Sequence, residues 1–265
     1  MRSSLVLIVA AMAVPSGFYR PLVHEIEGRG WQARALPQRG FERGEPVASR
    51  GHDWSYADEI QSIAEAVAAA RAEDPDRPVI LLGHSLGAQL VAGHQLHHPP
   101  ADGFVTVGAS VPHFRSYPYG GVPVLLMGLA VPVVTRLRGF LPKPFFGAPG
   151  AQTLMREWAR FVRTGRPPFD VPRRIQTPTL VVQLQGDTYA VSGSNKVFTE
   201  LMIEPDAVTR WVYAKDAAPE GGTTHHVQWV RSPGPVVDRM VDWWGQTCSA
   251  KASSGGHEQA RLRSP

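Results

Sequence analysis

Six short strand candidates, most of them apolar runs, alternate with segments of helical spacing, and this alternation limits the chain's folds more than any other feature. The candidates are Leu5–Val9, Trp31–Leu36, Val79–Leu82, Phe104–Val107, Thr179–Leu184 and Val208–Ala214. Unbroken Val/Ile/Leu runs of this length mark strands buried on both faces, as in a parallel sheet. Between them, Tyr19, Leu22, Val23 and Ile26 recur at i, i+3, i+4 and i+7. Ile60, Ile63, Ala64, Val67 and Arg71 share a stripe of a helix over 56–73, another helix covers about 86–98, and Val237, Met240, Val241 and Trp244 form the stripe of a last one. Strand–helix alternation of this kind predicts an α/β fold: a mostly parallel sheet of about six strands with helices on both faces.

The alternation fails between Ala109 and Pro178. A segment that long is not structureless in a compact domain. It holds the apolar stretch Val122–Leu137, interrupted by Pro123 and Pro132, and a helical stretch, Gln152–Val162, with Leu154, Trp158 and Phe161 on one face. The expected organisation is a core of residues 1–108 and 179–247, a helical cap over 109–178, and a disordered tail over 248–265 rich in Ser, Gly and charge. The apolar stretch is expected to be too short and too Pro-broken to span a membrane, so no transmembrane segment is predicted.

Met1-Arg2, the apolar run after it and Ala11-Met12-Ala13 also resemble a short secretory signal. The following turn (Pro15-Ser16-Gly17), helix and second strand instead make the run the first strand of a βαβ unit, which cleavage would remove. A cytoplasmic location is expected. The single cysteine, Cys248, excludes an internal disulfide framework and a Cys-based metal clip.

The net charge of +4 does not spread over the molecule. Residues 136–174 hold nine Arg or Lys against Glu157 and Asp170, while the chain outside this stretch and the tail is net acidic. That is no nucleic-acid footprint along a domain. The basic stretch is either the solvated face of the cap or an attractor for an anionic substrate or an acidic lipid surface.

Gly83-His84-Ser85-Leu86-Gly87 follows a predicted strand and opens a predicted helix. In that context a G-x-S-x-G sequence is a nucleophile elbow: a sharp turn exposes the serine, and the helix start offers the N–H of Leu86 to an oxyanion. An activated serine needs a base, and the base needs an orienting carboxylate. Asp187 directly follows the strand after the cap, and His225-His226 follow the last strand. The order Ser, acid, His is the one this topology requires. His94, His97 and His98 have a spacing that can hold a metal, but they sit at a helix C-terminus, where cationic side chains suit the dipole. No metal is predicted.

These residues resemble the α/β-hydrolases, and more narrowly a group of them whose histidine lies in a Gly-His-x-Gly-Phe-Phe-Arg segment. The similarity runs over most of Leu5–Trp244. It includes Gln38-Arg39-Gly40, Asp53-Trp54-Ser55-Tyr56-Ala57-Asp58, the elbow, Arg156-Glu157-Trp158-Ala159-Arg160, and Gly186-Asp187. His226-Val227-Gln228-Trp229-Val230-Arg231 fits the histidine segment when His226, not His225, takes the base position, although Thr224-His225 stand where the group has glycine. The chain also reads Ala10-Ala11-Met12-Ala13-Val14 where the family has a glycine-containing stretch, and it starts almost at the first of the predicted strands, so either a form with shortened N-terminal strands or a start at an internal methionine is expected.

The resemblance implies a serine hydrolase cleaving a carboxylic ester or related acyl bond. Ser85 is the nucleophile, His226 the base, Asp187 the orienting acid, and Leu86 with Met12 (or Ala13) the backbone oxyanion donors. It implies no cofactor, and a small ester or acyl molecule as substrate. Dehalogenases and epoxide hydrolases of this fold carry aspartate at the elbow, so Ser85 argues against them; a perhydrolase side activity stays open. Leu125, Leu126, Leu129, Val131, Phe140, Phe145 and Phe146 either receive the acyl group or pack the cap on the core. The competing functional class is a catalytically silent relative serving as a binding module.

Overall fold

The computed structural model describes residues 3–143, 145 and 148–261, with side chains up to residue 250. Met1, Arg2, Phe146 and positions 262–265 of the expected tail lie outside the described residues. In chain order the elements are β1 (Leu5–Val9), α1 (Arg20–Glu27), β2 (Gln32–Ala35), α2 (Tyr56–Glu73), β3 (Val79–His84), α3 (Leu86–His97) and β4 (Gly103–Val107). They continue with α4 (Val122–Arg138), β5 (Phe140–Leu141), β6 (Gly150–Ala151), α5 (Gln152–Thr164), β7 (Thr179–Leu184), α6 (Ser192–Met202), β8 (Val208–Tyr213) and α7 (Gly234–Arg261).

The expected parallel sheet is present. Six strands lie in the order β2-β1-β3-β4-β7-β8, and every neighbouring pair is parallel. Leu5 pairs with Gln32 on one side and Val79 on the other, so the amino-terminal apolar run is an interior strand. Strand residues alternate between two cores. Leu5, Leu7 and Val9 pack with Ile60, Ile63 and Val91 of α2 and α3, whereas Val6 and Ile8 pack with Leu22 and Ile26 of α1 and Val237 and Met240 of α7. Each fully buried aliphatic side chain of this kind contributes about 1.5–3 kcal/mol, which is why an interior strand such as β1 reads as an unbroken apolar run.

Three elements depart from the sequence expectations. Helix α6 occupies a Ser/Gly/Asn-rich stretch that carries few apolar residues. The stretch thought to be broken by its prolines is one helix, α4: Pro123 sits in its first turn, where no intrahelical N–H is needed, and Pro132 is accommodated inside it. With the turn before it, Tyr119–Arg138 is long and apolar enough, by length and composition, to cross a bilayer. Helix α7 also runs past residue 248 to Arg261 rather than giving way to a disordered tail. Cys248 packs against the second core, and the chain has no proline between Pro235 and Pro265, so nothing stops the ladder of i→i−4 bonds.

The 109–178 insertion adds no strand to the main sheet; it carries α4, α5 and the antiparallel β5–β6 ladder. Helices α4 and α5 meet closely at Gly128, where a Cβ would come within 2.8 Å of Val162. Two carboxylates tie α5 to the core. Asp53 accepts hydrogen bonds from the Thr153 backbone N–H (2.9 Å) and hydroxyl (2.6 Å) at the start of α5. Glu157 of α5 accepts from the Tyr56 N–H (2.8 Å) at the start of α2. Each helix therefore has an orphan N-terminal donor satisfied by an acid from the other's segment. Loss of one such cap costs about 1 kcal/mol. Asp53→Ala is expected to lower the thermal midpoint by about 2–4 °C, with Asp53→Asn recovering part of the loss; thermal unfolding followed by circular dichroism measures both.

Candidate active site

The strand–helix turn at Ser85 is built on backbone-to-backbone contact. Helix α3 starts so close to β1 that a Cβ on Gly87 would overlap the carbonyl oxygen of Val9, and one on Gly83 would run into the backbone of Ala88. The chain reverses direction within one residue, and Ser85 takes the strain, at φ 54° and ψ −114°. A non-glycine residue in that region costs on the order of 1–3 kcal/mol and is held there by its surroundings. Here the Ser85 N–H donates to the Val107 carbonyl of the neighbouring strand (2.9 Å).

The three residues expected from sequence order meet at the carboxyl ends of the strands. Ser85 Oγ lies 2.9 Å from His226 Nε2, and His226 Nδ1 lies 2.6 Å from Asp187 Oδ2. An ionised carboxylate only accepts, so Nδ1 carries the proton and Nε2 is free to accept from the serine hydroxyl. Asp187 follows β7 and turns back on itself: its Oδ1 accepts from the N–H groups of Tyr189 (2.8 Å) and Ala190 (3.0 Å). Burial would raise its pKa, but the hydrogen bond and charge of His226 together with these N–H groups overcome that, and the carboxyl stays below its ordinary range.

Two neighbours hold the His226 ring. The Tyr189 ring stacks on it at 5.1 Å between centroids, and Gly108, at φ 59°, lies so near that a Cβ would come within 3.0 Å of Cε1. His225 is not brought to Ser85. It is exposed, and its Nδ1 faces the N–H groups of Val227 and Gln228.

Behind the elbow lies a buried polar chain that pattern reading missed. The Ala11 N–H donates to Tyr19 Oη (2.8 Å), Tyr19 Oη donates to His84 Nδ1 (2.8 Å), and His84 Nε2 donates to the His226 carbonyl (2.7 Å). It couples the segment after β1 to the loop that carries His226. Burial and the neighbouring His226 depress the His84 pKa to about 3, so this imidazole stays neutral. Its partners are 65 and 142 residues away in the chain, and only the histidine inside the elbow hinted at it.

A cavity of about 380 Å³ opens beside Ser85 and His226, bounded by Met12 and Leu86 on the core side and by Val124, Met127 and Trp158 of the insertion. Among the described residues no hydrogen bond engages the backbone N–H of either Leu86 or Met12. Ala13 sits instead at a left-handed turn position (φ 61°) and does not line the cavity. Nor, among the described residues, do Leu125, Leu126, Leu129, Val131, Phe140 and Phe145, the apolar residues singled out in the insertion. Val131 is buried away from the cavity, Phe140 packs on the first core, and Leu126, Leu129 and Phe145 face outward.

The histidine trio of α3 does not converge. His94 is buried beside Gln95 and stacks on His98, while His97 Nε2 faces the Asp170 carbonyl at 2.9 Å. Among the described residues, no group of three side chains could hold a metal.

A six-stranded parallel sheet, a strained serine after β3, and an acid and a histidine after β7 and β8 define the α/β-hydrolase class. Residues 2–145 match the hydrolase family described as Serine aminopeptidase, S33, and the chain belongs to that family. The fold is similar to that of an esterase from Exiguobacterium antarcticum, at 16% identity and TM-score 0.60 over 91% of each chain. It is likewise similar to MenH from S. aureus, at 12% identity and TM-score 0.62 over 93% of this chain and 95% of that one. A pyrethroid hydrolase from Sphingobium faniae JZ-2 aligns at 17% identity and TM-score 0.60 over 91% and 96%. Among curated proteins no sequence matches significantly.

The buried neutral histidines have a consequence for acid stability. His84 is depressed to about 3 and His94, chiefly by burial, to about 4, against an ordinary value of 6.5. A depressed folded-state pKa means that stability is fully present above the unfolded value and is lost as pH falls toward the folded one. Each histidine is expected to remove about 1.4 kcal/mol per pH unit as pH drops below roughly 6. The buried Glu59, raised to about 7, contributes in the opposite direction over the same range. Urea unfolding at pH 7 and pH 5 of the wild type and of His94→Gln therefore measures it; a variant that loses as much stability between the two pH values as the wild type would contradict the burial of His94 in neutral form.

Proposed function

We propose that this hydrolase cleaves carboxylic esters, or closely related acyl bonds, of small molecules through Ser85, His226 and Asp187. One observation carries the reading: the unbroken hydrogen-bonded line from the strained Ser85 Oγ through His226 to Asp187, opening on a cavity. The Ser85 hydroxyl adds to the acyl carbonyl carbon as its proton passes to His226 Nε2, and Asp187 stabilises the imidazolium. The backbone N–H groups of Leu86 and Met12 receive the developing oxyanion. Collapse expels the alcohol, protonated by His226, and leaves the acyl group on Ser85. Water, deprotonated by His226, then adds to the acyl-enzyme and frees the acid. Every step is a nucleophilic addition or a proton transfer within the reach of these residues, so the reading calls for no cofactor.

In this reading the insertion is a cap, and Val124, Met127 and Trp158 receive the apolar part of the substrate. The Tyr19–His84 chain serves to position the segment bearing Met12 relative to His226. The pairing of β1 on both of its edges argues that the apolar run Leu5–Val9 is not itself a cleaved signal.

A fluorophosphonate probe is expected to label the wild type and not Ser85→Ala. Absence of Ser85-dependent labelling in folded protein would establish the silent-relative class instead. His226→Ala is expected to lower kcat on a soluble ester by roughly 10³–10⁴-fold, with His225→Ala within about twofold of wild type. The reverse order would move the base to His225. Tyr19→Phe keeps the ring but deletes the hydroxyl. Its kcat is expected to fall about tenfold with KM unchanged, and a proportional rise in KM would instead mark a substrate-binding role.

A further inference from the structure

Helix α4 has two apolar sides. The side formed by Val124 and Met127 borders the cavity beside Ser85, and Gly128, Val131 and Thr135 are buried in the insertion. Away from these, Val122, Leu126, Leu129, Val133 and Leu137 follow one another at steps of four, three, four and four residues. That spacing places them along a single stripe. Each is between 49% and 70% exposed, and Tyr119, at the same end as Val122, is more exposed still. A soluble surface rarely leaves so continuous an apolar line uncovered unless something docks on it.

The charge beside the stripe indicates what docks. Arg136, seven residues after Leu129, is exposed on the stripe's own side, and Arg138 is exposed at the helix end. Arg50 joins them, donating to the Leu137 carbonyl at 2.7 Å, whereas Arg163 lies on the α5 side, against Gly128, with its Nε donating to the Ala159 carbonyl. Among the described residues none of these four guanidiniums forms an ion pair. Residues 109–178 carry ten Arg or Lys and only two carboxylates, of which Glu157 is directed to α2.

We propose that the outer face of α4 docks the protein on an anionic lipid bilayer surface, with the leucine stripe in the headgroup–acyl boundary and the arginines on the lipid phosphates. An apolar stripe flanked by cations is the pattern of a helix lying in the interface. The helix lies along the membrane rather than across it, because its other side is packed on α5, where Arg156 Nε donates to Thr135 Oγ1. A second copy of this chain fits less well, since pairing two such faces would oppose two strongly basic surfaces. Docking is independent of the esterase reading, although it would set the membrane against the outside of the helix whose inner side borders the cavity.

Flotation of the full chain with vesicles tests this. The wild type is expected to float with vesicles of phosphatidylcholine and phosphatidylglycerol, to stay behind with phosphatidylcholine alone, and to be released by salt. Leu126→Glu with Leu129→Glu is expected to reduce the bound fraction about tenfold or more. Arg136→Gln with Arg138→Gln is expected to weaken partitioning by about fivefold per charge. Both pairs are exposed, so unchanged thermal unfolding is expected, and Leu126→Ser with Leu129→Ser replaces the glutamate pair if it fails to fold. Wild type that does not float with anionic vesicles, or a glutamate pair that floats as well as wild type, would overturn the proposal. So would a wild-type dimer in sedimentation that the glutamate pair dissolves, which would make the stripe a self-association face. Flotation reads no hydrolysis, so its failure and that of the esterase reading are separate results.

Discussion

The close approach of α3 to the end of β1 governs the rest of the structure. Backbone meets backbone there because Gly83 and Gly87 carry no side chain, and the turn between them can close only with Ser85 in a left-handed conformation. That strain is held by the flanking strands, through the pairing of β3 with β1 and β4 and the Ser85 bond to Val107. The same approach brings the segment after β1 beside the first turn of α3. Met12 and Leu86 thereby come to border one cavity, although 74 positions separate them in the sequence.

Much of this was legible in the sequence, for identifiable reasons. Strands buried on both faces must be largely apolar, so β1, β3, β4 and β7 announced themselves; the edge strands β2 and β8, which carry Gln32, Arg34, Thr209 and Arg210, were legible mainly from the strand–helix alternation around them. Ser85, Asp187 and His226 were legible because each directly follows a strand or the loop after one, in the order that a parallel sheet dictates. The failures have equally physical causes. Helix α6 starts with Ser, Gly, Ser and Asn, which present no apolar stripe. It is held by tertiary bonds: Ser194 and Asn195 donate to the backbone carbonyls of Val111 and Ala109. Tyr189 gave no signal, because its role is to stack on a histidine that arrives from another loop. The apolar residues of the insertion were legible as apolar, but sequence cannot say which side of α4 meets the cavity and which meets solvent.

The insertion and the core are joined by the segments that carry the family resemblance. Asp53–Tyr56 and the α5 stretch around Glu157 cap each other's helices, and the Leu154 N–H adds a bond to the Trp54 carbonyl at 2.9 Å. Two motifs about a hundred positions apart are thus two halves of one joint. The joint fixes α5, α5 fixes α4 through Gly128, and α4 forms the side of the cavity opposite the elbow.

The strand order has a further consequence, for the order of events during synthesis. From β1 the sheet extends through β3, β4, β7 and β8 in the order in which the ribosome delivers them, with β2 closing the other edge early. A chain grown only to the end of β4 can pair four strands and form the elbow, yet it carries neither Asp187 nor His226. Since domains assemble from the amino end during translation, Ser85 takes its strained position before the histidine it bonds exists. The emerging chain carries that serine without its hydrogen-bond partner until the last strands dock.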